Sequence, residues 1–199
     1  MGCSFDRAAG IGRAGGRPRR VLACVLLLAA AAGASSSPAT AAEPPCARAS
    51  AAPAHLSTGA AGHALQCLVN QLRRTHGLRP VRAERHLHRA ARNHARDMAA
   101  RDFFAHVSPG GATMQSRVRH AGYLHGAREW WLGEALVWGR NDTGRPSAIL
   151  RTLLSSPPHR AILLDPGFRD LGVGVARGAP RGAGSGALTV TLDFGRTRR

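Results

Sequence analysis

The chain has 199 residues, with 28 basic and 11 acidic side chains, a formal net charge of +17 at pH 7, and no lysine among the basic residues. That length suits one domain with a true hydrophobic core. Only 5% of the residues are aromatic, the arginines are scattered, and no nucleic-acid motif is recognised. The charge therefore reads as Arg-for-Lys usage typical of a GC-rich bacterial gene; some affinity for anionic surfaces is left and specific nucleic-acid binding is not expected.

Residues 1–41 read as a secretory signal peptide. Arg17, Arg19 and Arg20 supply a basic region, Val21 to Ala32 an apolar core, and Ala39-Thr40-Ala41 the small residues of a cleavage site. The apolar run is short for a transmembrane helix. Arg19-Arg20 weakly resembles a twin-arginine signal. Cys24 is a poor lipidation site, because Leu22 is bulky and the apolar run continues past it. Cleavage after Ala41 would leave 23 arginines against 10 acids. Residues 42–62 then read as a flexible tail and residues 63–197 as the folded domain. Cys46 and Cys67 are the cysteines that remain, an even number in an oxidising compartment, and a disulfide between them would tether the tail. Two free thiols, with Cys67 buried in the first helix, are the alternative.

The domain begins with a helix over Gly62 to His76, where Leu65, Leu68, Val69 and Leu72 recur at helical spacing and Gly77 is the stop. A second helix runs from about Glu84 to Arg101, with Leu87, Ala90, Ala91, His94, Ala95 and Met98 as its apolar stripe. His94 on that stripe reads as a hydrogen-bonded, partly buried histidine rather than a ligand. Thr113 caps a third, shorter helix that ends at Gly122. Trp130 to Trp138 is strand-like, and Pro146 opens a fourth helix over Ser147 to Leu154, stopped by Pro157-Pro158, which expose His159. Two period-two segments, Leu171 to Val175 and Leu188 to Phe194, predict an antiparallel hairpin. Helices first and strands last predict an α+β domain.

Three side chains stand out as a candidate site: His106, Glu134 and His159. Each lies beside Ser, Pro or Gly, where a regular element must end, and two imidazoles with one carboxylate would make a site if brought together. Ser108, Ser155 and Ser156 lie near the histidines, but serine beside proline is more often a turn or cap residue than a nucleophile. No acid is placed to orient either histidine in a recognisable triad.

Several segments resemble one family. Leu68-Val69-Asn70-Gln71-Leu72-Arg73 through Gly77-Leu78-Arg79-Pro80-Val81 is similar to the opening of bacterial CAP domains, also called SCP domains. Further matches are Ala95-Arg96-Asp97-Met98-Ala99, Phe104-Ala105-His106-Val107-Ser108-Pro109, Arg119-His120-Ala121-Gly122-Tyr123, Gly133-Glu134, Ser156-Pro157-Pro158-His159-Arg160-Ala161, the start of the hairpin at Phe168, and the closing Asp193-Phe194-Gly195. The resemblance spans about Leu65 to Gly195. It implies an α-β-α sandwich with a small antiparallel sheet between helical layers. It also implies a cleft where His106, Glu134 and His159 meet, which in several relatives binds a divalent metal, often zinc. Three features depart from the family pattern: Ala135 and Ile162 replace usual asparagines, and no Glu follows Glu134 to supply the second cleft glutamate of many eukaryotic relatives.

The resulting expectation is a secreted, non-enzymatic binding module whose cleft takes an envelope component, a lipid or a protein, with zinc or another divalent metal as the cofactor the resemblance allows. The alternatives are a metal-dependent hydrolase working through the same three residues, in which the metal would polarise a water, and an Arg-rich binder of anionic envelope polymers.

Overall fold

The computed structural model describes residues 2–10, 46–180 and 186–199. The apolar run from Val21 and the expected cleavage site at Ala41 lie outside the described residues. Gly2–Gly10 (β1) is a strand within the segment expected as a leader; it runs antiparallel to Glu129–Arg140 (β3), with Gly2 opposite Trp138 and Gly10 opposite Trp130.

The expected tail is ordered from Cys46 onward. A disulfide joins Cys46 to Cys67, a turn of 3-10 helix covers Pro53–His55, and the first helix starts earlier than the apolar spacing predicted, at Thr58. Helix α1 is Thr58–Thr75. Ser57 caps it by accepting from the Ala60 amide at 3.1 Å, and Gly77, at φ +67°, lets Leu78 N–H return to the Arg73 carbonyl. The first turns of α1 carry small residues because they lie against the sheet: a Cβ at Gly62 would sit 3.8 Å from the Val173 carbonyl. A pattern search for large apolar residues passes over such a turn.

The remaining helices are α2 (Arg85–Ala100), α3 (Met114–His120), α4 (Pro146–Ser155) and α5 (Pro157–Leu163). Glu84 and Thr113 cap α2 and α3 as N-cap acceptors. Pro157-Pro158 ends α4 as expected, yet the same prolines occupy the opening positions of α5, where their missing N–H groups need no partner. The expectation that they expose His159 is therefore corrected: the ring is 2% exposed, inside α5.

The sheet order is β1-β3-β5-β4-β2, where β2 is Arg82–Ala83, β4 is Asp170–Arg177 and β5 is Ala187–Arg198. β3, β5 and β4 are antiparallel, as the hairpin pattern predicted, and only the short β2 pairs parallel, with β4. The two faces differ in kind. Leu171, Val173, Val175, Val190, Leu192 and Phe194 face one side and bury the main core with residues of α1, α4 and α5. The other face presents Gly172 and Gly174, and α2 lies directly on them: a Cβ at either would collide with the α2 backbone at Leu87-His88 or Ala91-Arg92. This close approach places the buried stripe of α2 over the polar residues of β5, Thr189, Thr191 and Asp193, which are fully buried.

A second anchor is Arg73 of α1. Its guanidinium is wholly buried and donates to the carbonyls of Arg79, Leu163 and Asp165 at 3.0, 2.8 and 3.1 Å, tying α1 to the end of α5. Burial pushes its pKa below the ordinary value.

Oxidised protein should contain no free thiol among Cys46 and Cys67. Reduction should cost about 3 kcal/mol of unfolding free energy, the entropy of a loop of this size. Alkylation under native conditions and urea unfolding with and without reductant check both points; two reactive thiols, or no change in stability, contradict them.

Candidate functional site

The segment between α2 and α3 delivers His106. α2 ends at Arg101, Asp102 turns the chain at φ +53°, and the loop is pinned from below by His94, whose Nε2–H donates to the Ala105 carbonyl at 3.0 Å. The expectation for His94 matches what is observed: it is 1% exposed and hydrogen-bonded. Burial, the leading cause, pushes its pKa down to about 4, so at neutral pH Nδ1 carries a lone pair, which lies 3.5 Å from the Ser108 hydroxyl. Beyond His106, the Ser108 amide bonds the Ala112 carbonyl and Gly111, at φ +82°, turns the chain into α3.

Glu134 is the centre of the site. It points from β3 to the α2 side of the sheet and is fully buried. Gly133 beside it has to be glycine, since a Cβ there would lie 2.8 Å from the Phe168 ring on the opposite face. His106 Nδ1 donates to Glu134 Oε1 at 2.7 Å, and Arg117 Nη2 of α3 donates to Oε2 at 2.6 Å. The same guanidinium gives Nη1 to the carbonyls of His106 and Ala112 at 2.9 and 2.7 Å. One buried carboxylate thus holds a strand, a loop and a helix together through charge-assisted bonds. Burial alone would raise the Glu134 pKa; the His106 hydrogen bond and the Arg117 charge outweigh it and hold the carboxyl below its usual value.

Asp193 lies directly across from Glu134 on β5 and is also fully buried. Neither of its oxygens meets a donor. Burial first, then the neighbouring Glu134 charge, hold its carboxyl well above the ordinary value, and a proton on Asp193 is what converts its contact with Glu134 into a hydrogen bond. The pair is therefore one carboxylate and one carboxylic acid.

Of the three residues singled out from the sequence, His106 and Glu134 are in direct contact on the α2 face. His159 sits in α5, which packs on the other face beside Ile162 and Phe168. Among the described residues no group of three His, Cys, Asp or Glu side chains is arranged to hold a metal ion. The chemistry of the donors agrees: both Glu134 oxygens already accept short hydrogen bonds, and His106 keeps only Nε2, a buried atom with no hydrogen-bond partner. As arranged, Glu134 suits the role of a carboxylate behind a ligating imidazole better than that of a ligand. The residues present do not fit a two-histidine, one-carboxylate metal centre.

Two departures from the family pattern have a packing reason. Ala135 and Ile162, where asparagines are usual, both lie in the apolar core on the far face. Sequence reasoning missed Arg117 and Asp193. Arg117 carried only the signal of one arginine among 28. Asp193 did carry one, an acid at an alternating position of a buried strand, but its meaning depends on the β3–β5 register.

A five-stranded sheet between α2 and the α1/α4/α5 layer, with an imidazole and a guanidinium closing on the glutamate of a Gly-Glu pair, defines a CAP-type domain, and residues 66–194 match the CAP family, described as the cysteine-rich secretory protein family. The chain belongs to that family. A relative is the protein YkwD of Bacillus subtilis (strain 168), described as uncharacterized, 28% identical over 107 residues. The match covers 54% of this chain and 39% of YkwD, so the chain corresponds to about two-fifths of that protein. Among solved structures, an extracellular protein containing an SCP domain from Bacillus anthracis superimposes with TM-score 0.55 at 24% identity, over 71% of this chain and 41% of that one. An outer surface protein of Borrelia burgdorferi superimposes with TM-score 0.60 at 16% identity, over 72% of this chain and 97% of that one. At those identities the likeness is one of fold.

The two carboxyl groups give stability opposite pH dependences. Glu134, with its lowered folded value, stabilises above its unfolded value near ~4.3 and loses that contribution as pH falls through the folded one. Asp193 keeps a proton that the unfolded chain releases above ~3.9, so its cost grows as pH rises from there. Asp193→Asn stays neutral and can donate to Glu134. It should therefore be more stable than the unsubstituted protein at pH 7, with the gain shrinking towards pH 4. Urea unfolding at both pH values checks this, and an equal difference at the two would contradict it.

Proposed function

We propose that this protein acts outside the cytoplasmic membrane as a non-enzymatic binding module, with its ligand held at the cleft beside His106. The observation that carries the reading is the closed state of the polar centre. Glu134 is answered by the His106 Nδ1–H and the Arg117 guanidinium, and among the described residues no hydroxyl or thiol is hydrogen-bonded to the remaining imidazole nitrogen, His106 Nε2. A hydrolytic site needs a nucleophile within reach of its base; a binding site needs a rigid frame with a few unspent polar atoms. The brace supplies the frame, and the His106 side chain, 10% exposed, is the polar group it holds in place.

The extracytoplasmic part rests on the leader-like composition of residues 1–41, the Cys46–Cys67 disulfide, and the extracellular and outer-surface descriptions carried by two proteins of the same fold. The ligand class stays that of an envelope component, a lipid or another protein. Removing the leader would also remove β1 and leave β3 at the edge of the sheet.

Two measurements test the proposal. Material recovered outside the cytoplasm should begin near Ala42 by N-terminal sequencing; an intact Met1 terminus in the membrane fraction contradicts export. Chelator-treated protein titrated with zinc should keep its melting temperature. A saturable rise that His106→Ala abolishes would instead favour the metal-dependent alternative.

A further inference from the structure

Away from His106, a cavity of about 670 Å³ opens between the start of α2, the end of α3 and the ends of the sheet. Its volume falls within the range of ligand pockets. Its walls carry four arginines, Arg82, Arg85, Arg89 and Arg199, with His120 and His125. Only two acids line it, Glu84 and Asp170.

Both acids are fully committed to internal bonds. Glu84 Oε2 caps α2 at the Leu87 amide at 2.7 Å, and its Oε1 meets His86 Nδ1 at 3.0 Å. Asp170 accepts from the Tyr123 hydroxyl at 2.8 Å through one oxygen and from Arg82 Nη2 at 2.8 Å through the other. Burial and the adjacent Asp170 charge push the Tyr123 hydroxyl far above its usual value, so it stays a donor. Neither carboxylate has an oxygen left without a protein donor.

The cations are differently placed. Arg89 bonds the Ala121 carbonyl, which fixes its guanidinium at the wall. Arg85 and Arg199 are exposed and make no hydrogen bond or ion pair among the described residues. Gly122 lines the cavity at φ +93°, a backbone conformation that favours glycine. The result is a concave surface with unspent guanidinium donors on more than one wall and with both lining acidic side chains already bonded.

We propose that this cavity binds a chain of phosphate groups, whether linked as phosphodiesters or as phosphoanhydrides. Guanidinium forks match phosphate oxygens two at a time, and a tetrahedral phosphate accepts from several directions, as arginines on different walls require. The cavity has room for more than one such group, and the placement of Arg85 on α2 and Arg199 after β5 calls for a ligand that presents charge repeatedly. The inference is independent of any ligand at His106: α2, α3 and the sheet carry both sites, but no side chain serves both, Arg117 of α3 turning to Glu134 and His120 to this cavity.

The test is calorimetric titration of the oxidised protein with sodium tripolyphosphate and with poly(glycerol phosphate), using inorganic phosphate and polyglutamate as controls. At least one phosphate chain should bind saturably and at least about tenfold tighter per molecule than inorganic phosphate; the tighter of the two identifies the linkage. Arg85→Gln with Arg199→Gln, which removes no internal contact, should weaken that binding about tenfold or more. Arg151→Gln with Arg160→Gln removes the same charge from exposed positions of α4 and α5 and should change it by no more than about twofold. Equal losses in the two double variants would show binding by diffuse charge and overturn the site. Equal binding of polyglutamate would overturn the phosphate assignment, and no saturable binding by either chain would overturn the proposal outright.

Discussion

A carboxylate taken wholly out of water has to be answered from within the protein, and Glu134 is that carboxylate. Leaving it unpaired would cost several kcal/mol, so the fold brings it one guanidinium and one imidazole at 2.6 and 2.7 Å. The consequences spread outward. Arg117 has to stand on a helix whose first turn is set by the Thr113 cap, and its second nitrogen then fastens the His106 and Ala112 carbonyls. His94 reaches up from α2 to hold the same loop at Ala105. The loop carrying His106 is held in place by these charge-assisted bonds.

The sheet makes that arrangement possible by having two unlike faces. One is branched and aromatic and builds the main core. The other is nearly bare on β4, where Gly172 and Gly174 admit the α2 backbone, and polar on β5, where Thr191 and Asp193 are sealed beneath it. A helix held at ordinary distance would leave space over Glu134 for water and weaken the electrostatics on which the brace rests. Close packing at the glycines and a dry ion pair are thus two aspects of one design. Asp193 shows its cost: the neighbouring carboxyl is kept protonated so that two negative charges never share the space.

Much of this was legible in the sequence, because local signals agreed with the tertiary result. Thr113 as a cap, Gly77 as a stop, Pro146 at a helix start and the two period-two strands each have a near-neighbour cause, and each appears where expected. The contact of His106 with Glu134 was foreseeable only through the resemblance, since no local rule joins residues 28 positions apart. The misses have physical reasons. α1 begins before its apolar stripe because small residues fit against the sheet, and α5 opens on the two prolines that also stop α4, a double role the stop signal alone does not reveal. Arg117 was hidden by the abundance of arginine. Asp193 acquires its role from inter-strand register, which single-strand periodicity does not encode.

Glu134 and Arg117 form a buried ion pair at 2.6 Å on which the local fold depends. A double-mutant cycle with Arg117→Met and Glu134→Gln, read by urea unfolding at pH 7, measures that dependence directly. Arg117→Met alone, which strands the carboxylate, should destabilise by about 3–5 kcal/mol, and the double variant should recover a large part of that loss, leaving a coupling energy of about 2 kcal/mol or more. Single effects that simply add, each below about 1 kcal/mol as for an exposed ion pair, would contradict it.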